Sequence, residues 1–184
     1  MNTENSTAPN WAPFKICNRD ERALSPRSIH SVEGIGDRLR TAAFAELQAF
    51  HAFTWGADTF TDAPASLKSA WRGLALAEER HLGWLLKRLS ELGLEVKERG
   101  VSDWLWISLT NCKTAKEFAV FMASAEERGR LAGVRFHETL LPVDPVTAKI
   151  FGKIAEEEVE HIRLAQTYFP EEASAPSEKN RSTY

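Results

Sequence analysis

The chain has 184 residues, 43% of them apolar, and a formal net charge of −3. That suffices for one domain with a proper core, would make two domains cramped, and gives no global electrostatic pull toward nucleic acid or an anionic membrane. No apolar run approaches the roughly 20 residues needed to span a bilayer, which excludes a transmembrane helix. Cys17 and Cys112 form neither a C-x-x-C motif nor a disulfide framework, and the first residues lack the charged-then-apolar pattern of a secretory signal. A cytoplasmic protein with no membrane partner is the expectation.

Residues 1–30 hold Pro9, Pro13 and Pro26 among charges without a period, and read as an N-terminal arm anchored on the body by Trp11, Phe14 and Ile16. In it Lys15, Arg19, Arg22 and Arg27 outnumber Asp20 and Glu21, a basic excess best read as solvated. A first long helix begins between Ser31 and Asp37 and runs to about Trp55, with Leu39, Ala42, Ala43, Glu46, Ala49, Phe50 and Phe53 on its buried stripe. Glu46 sits in the middle of that stripe, with apolar neighbours one turn up and one turn down. After a turn over 56–64, a second helix spans about 65–92 and stops at Gly93. Its stripe, from Trp71 to Leu92, again carries polar groups at its centre, Glu78 and His81, while Glu79 points away.

From 94 to 113 the period is lost, apart from a short packed helix around Trp104 to Ile107, and the segment reads as a connector. Thr114 and Glu117 form a capping box that fixes the start of a third long helix. Phe118, Met122, Glu126, Gly129, Gly133 and Phe136 share one of its faces. Glu126 is taken as the inward residue over Glu127, which shares a face with Ser124 and Arg130. The two glycines cost helix propensity, so they serve close approach of another helix or room for a ligand. Pro142 to Pro145 makes the second turn, with Asp144 as cap, and a fourth long helix runs to about Phe169 with Glu158 and His161 on its stripe. The bundle is thus placed at 31–170, and residues 171–184, rich in Ser, Glu, Pro and Ala, read as a disordered tail.

Glu78-x-x-His81 and Glu158-x-x-His161 each put a carboxylate and an imidazole one turn apart on a helix, a metal-ligand spacing. Glu46 and Glu78 are 32 residues apart, as are Glu126 and Glu158, and the midpoints fall at Asp62 and Pro142, inside the two turns inferred independently. Two hairpins of one design therefore bring four glutamates and two histidines to matching depth. No Lys or Arg falls on the inward stripes as drawn, and four buried carboxylates need compensation, which two divalent cations supply. Mixed carboxylate and imidazole ligands suit iron or manganese, and the absence of thiolates argues against structural zinc. His30, His51 and His137 read as surface or packing histidines, and Tyr168 as a core tyrosine.

In that order, Glu46, Glu78-x-x-His81, Glu126 and Glu158-x-x-His161 resemble the ferritin-like di-iron carboxylate superfamily over about residues 37–169. More narrowly, the stretches 40–48, 77–81 and 125–129 resemble an uncharacterised bacterial ferritin-like family, catalogued as a domain of unknown function. That family is similar to the tRNA-modifying hydroxylase that acts on methylthio-isopentenyl-adenosine. The resemblance implies an all-α four-helix bundle, up-down-down-up, with a crossover connection along its length. It implies two iron ions, or manganese or a mixed manganese–iron pair, held by the six residues. An oxidoreductase would use dioxygen or peroxide on a small-molecule or RNA substrate; a ferritin-like metal-handling protein would need no organic substrate. A homodimer suits the oxidoreductase, whereas a monomer or dimer counts against storage.

Overall fold

A computed structural model of the chain describes residues 8–18 and 20–170. Five α-helices occur among them: α1 (Val32–Thr59), α2 (Ala65–Glu91), the short α3 (Trp104–Leu109), α4 (Ala115–Leu140) and α5 (Pro145–Tyr168). The tail expected to be disordered, 171–184, lies outside the described residues, as does Arg19.

Local chemistry fixes the helix ends. Ser31 Oγ accepts the Gly34 N–H at 3.0 Å, Thr114 Oγ1 accepts the Glu117 N–H at 3.1 Å, and Asp144 accepts the Thr147 N–H at 3.1 Å. Glu117 reaches back to the Lys113 N–H at 2.7 Å, which closes the capping box one residue earlier than the usual form. Gly93, at φ 69°, ends α2 in a Schellman motif: the Leu94 N–H donates to Leu89 O and the Gly93 N–H to Ser90 O. Helix α1 continues four residues past Trp55, through Gly56, where the expected turn began and where the Phe118 ring packs. A Cβ at Gly56 would lie 2.5 Å from that ring.

α1 packs along α2, and α4 along α5, with the two hairpins joined through α2 against α5 and α1 against α4. The connector's path gives the direction of each helix. It leaves the end of α2 beside the start of α1, where Arg40 donates to Val96 O and Glu95 O. It passes the middle of α1, where Gln48 accepts the Trp106 N–H at 3.0 Å. It arrives at the α1–α2 turn, where Asp62 accepts the Ala115 N–H at 3.0 Å. At the far end Arg88 of α2 pairs with Asp144 in the α4–α5 turn. α2 and α4 therefore run the same way, and the bundle is up-down-down-up, the ferritin-like arrangement.

The connector also widens the buried face of α1. Phe44, Leu47 and Gln48, off the expected stripe, are buried under it, while Ala42 and Phe50 are only half-buried. The arm lies on the same side: Lys15 O accepts the Val101 N–H and the Cys17 N–H donates to Val101 O. Trp11 and Phe14 pack on Phe44, with centroids 5.3 and 5.0 Å away. One arginine is buried without having been on any inward stripe: Arg40, 1% exposed, is enclosed by Asp37, Glu98 and the connector carbonyls and faces away from the bundle axis. His51 packs on Trp11, and His137 Nδ1 contacts Ala148 O at 2.8 Å, both as packing groups. Among the described residues no helix is long and apolar enough to cross a membrane.

Candidate metal centre

All six residues singled out by spacing come together midway along the bundle. They form two overlapping quartets, Glu46, Glu78, His81 and Glu158 on one side and Glu78, Glu126, Glu158 and His161 on the other. Glu78 and Glu158 belong to both. Glu78, His81, Glu158 and His161 are buried, whereas Glu46 and Glu126 keep partial access. Each shared carboxylate presents one oxygen to each imidazole. Glu158 places Oε1 3.5 Å from His81 Nδ1 and Oε2 3.3 Å from His161 Nδ1. Glu78 places Oε2 3.7 Å from His81 Nδ1 and Oε1 2.8 Å from His161 Nδ1. The rings stack at 5.9 Å and 18°.

These contacts are not hydrogen bonds. Both oxygens of Glu78, both of Glu158 and the Nδ1 atoms of both histidines are buried without a hydrogen-bond partner. Leaving that many polar atoms orphaned costs several kcal/mol unless something else binds them. Ligands at about 2.1 Å from one ion and at right angles lie about 3 Å apart, close to the separations found here. The donor set thus fits a pair of divalent cations, each with one imidazole, one carboxylate of its own and two shared carboxylates.

The charges of the metal-free cluster follow from crowding. Burial, reinforced by the neighbouring carboxylates, pushes Glu46 and Glu126 well above the usual carboxylate range. Burial opposes ionisation of Glu78 and Glu158 too, but His161 and His81 hold Glu78 below that range, and Glu126 together with the two imidazoles holds Glu158 below it. The imidazoles respond in turn: against the burial penalty, the carboxylates raise His81 to about 12 and His161 to about 10. Near neutrality two carboxylates then face two imidazolium ions, and the cluster balances itself with protons.

One contributor was not legible as a site residue. Glu157 accepts from His81 Nε2 at 2.9 Å and from Arg80 at 2.6 Å, so His81 turns Nδ1 toward the cluster. The Glu156-Glu157-Glu158 run marks the place, but nothing local says which helix Glu157 would meet. Glu127 is bonded to Arg130 at 2.6 and 2.9 Å and stays out of the cluster. From the carboxylates a cavity of about 660 Å³ opens between α1 and α4, with Glu46, Glu126 and Glu158 on its floor.

No curated protein matches the sequence. Among solved structures, the fold is similar to that of a dodecameric thioferritin, the bacterioferritin-related protein from Bacteroides fragilis, at TM-score 0.63 and 23% identity over 77% of this chain and 87% of that one. At residues 3–184 the sequence matches a family described as "Protein of unknown function (DUF455)". The chain therefore belongs to the DUF455 family and has a ferritin-like fold.

Proposed function

We propose that the protein is a di-metal carboxylate oxidoreductase, holding two iron ions, or manganese or a mixed pair, through Glu46, Glu78, His81, Glu126, Glu158 and His161. The observation that carries this reading is the sharing of Glu78 and Glu158 between two quartets, each carboxylate offering one oxygen to either side. When bound, such a metal pair supplies one- and two-electron chemistry with dioxygen or peroxide. The chain's own residues do the rest. Glu157 fixes the tautomer and direction of His81, Glu46 and Glu126 are the ligands nearest the cavity, and aliphatic walls line the approach to its floor.

The cavity is what favours an organic substrate over metal handling alone. A centre that only oxidises or stores metal has no need of about 660 Å³ of largely apolar space beside it, a volume typical of small-molecule sites. The ferritin-like neighbour is a dodecamer, and the storage reading for this chain needs a comparable shell, so a monomer or dimer in sedimentation counts against it. An RNA substrate draws less support, because Arg27, Arg40 and Arg99 are tied to Asp37 and Glu98. Elemental analysis of protein expressed with ample iron and manganese tests the centre: about two transition-metal ions per chain are expected. A content near zero, or a single zinc, overturns it.

A further inference from the structure

We propose that the cavity between α1 and α4 binds an amphiphilic organic anion, a straight-chain carboxylate of about ten carbons, with its head on Arg38 and its chain running to the glutamate–histidine cluster. The inference rests on the oxidoreductase reading only for what happens at the far end; binding itself does not require it.

Room is the first ground. Ala42, Ala45 and Ala49 of α1 face Ala125, Gly129 and Ala132 of α4 across about 660 Å³. A Cβ built at Gly129 would meet nothing within 4 Å, whereas one at Gly133 would touch Phe151 O at 3.3 Å and Ala155 Cβ at 3.4 Å. Of the two glycines on this face, Gly133 lets α5 approach and Gly129 leaves space. The floor is the second ground. Glu158, 3% exposed and with neither oxygen hydrogen-bonded, lines the cavity, so the small-residue walls end on a reactive centre.

Charge at the mouth is the third. Arg38 is half-buried on the cavity wall, donates to Arg27 O and Gly34 O at 2.8 Å each, and lies 5.8 Å from the Phe136 ring. Among the described residues no carboxylate forms an ion pair with it. Its neighbour on the wall, Asp37, is already held by Arg27, Arg40 and Arg99. With Asp37 met by those three, Arg38 is the cation on the cavity wall left to take the head of an organic anion, and it repels a cation. Length follows from the helix. Arg38 and Glu46 are eight residues apart on α1, about 12 Å along the axis at 1.5 Å per residue. An extended chain advances about 1.2 Å per bond, so about ten bonds connect the two ends.

The test is calorimetric titration of the metal-loaded full chain with decanoate, decanol and decyltrimethylammonium. Decanoate should bind one per chain, decanol about tenfold more weakly, and the cation not measurably. Arg38→Gln should weaken decanoate about tenfold and leave decanol unchanged. Gly129→Leu fills the cavity and should remove both while metal content and helicity persist; Ala45→Leu is the companion variant should that one fail to fold. Equal binding of all three probes, or decanoate binding indifferent to both cavity-filling variants, overturns the site. So does an oligomer that Gly129→Leu disperses and that takes no decanoate. Protein with two metals per chain and no decanoate binding sinks this inference alone, and decanoate binding by protein that takes no metal sinks the metal centre alone.

Discussion

Glu126 and Glu127 are adjacent in sequence, yet one step along an α-helix turns a side chain by about 100°, enough to separate a buried ligand position from a surface ion pair. Glu126 lies in the cluster and Glu127 is bonded to Arg130. Glu126→Ala should therefore lower metal content to one ion per chain or fewer, whereas Glu127→Ala should leave it at two. Metal per chain after equilibration, with helicity as a folding control, checks this, and the reverse pattern means α4 is rotated. The face was readable because Met122, Glu126 and Gly133 repeat at helical spacing. Glu157 was not, because its partner His81 lies 76 residues away on another helix. Arg40 was missed for a similar reason: its burial depends on connector carbonyls that no periodicity in α1 can announce.

At the level of elements, caps and turns carried most of what could be read. Thr114 and Asp144 are local signals, and each caps its helix as its residue type demands; Ser31 does the same, at one edge of the 31–37 window in which α1 was expected to begin. Helix interiors were harder, since the turn was expected to begin at Gly56, where α1 instead runs on with Phe118 packed against it. Gly129 and Gly133 share a face of α4 but differ in surroundings, and substitution should expose the difference. Gly129→Ala relieves the entropic cost of a helical glycine with no clash, so a gain of up to about 1 kcal/mol is expected. Gly133→Val forces a branched side chain against the α5 backbone, and overpacking of that kind costs about 1–3 kcal/mol. Denaturant midpoints of the two variants should move in opposite directions. A shift of the same sign in both would mean that the α4–α5 approach at Gly133 is looser than described.

Taken as a whole, the molecule exchanges one means of neutralising its core for another. Four buried glutamates were legible as a charge problem, and divalent cations answer it when bound; the metal-free answer is protons, which appears only once the side chains are placed. Glu46 and Glu126 hold theirs because their affinity for protons is raised by burial, and His81 and His161 because carboxylates surround them. Metal ligands must be deprotonated, so loading near neutrality should release about four protons per chain, one from each of these groups. Calorimetry in buffers of different ionisation enthalpy measures that number. The same protons set the pH dependence of stability. An imidazole whose affinity is raised on folding contributes fully below its unfolded value of 6.5, and that contribution is lost as pH climbs through the folded value, about 10 for His161 and about 12 for His81. Metal-free protein should therefore lose stability from about pH 6.5 upward. Metal-loaded protein should lose it in the other direction, as protons displace the cations in acid. Thermal melts of both forms between pH 5 and about pH 10 should give curves of opposite slope that converge at the acidic end, where no metal is bound. Parallel curves, or a loading step that releases no protons, would mean that the six side chains do not titrate as one buried group.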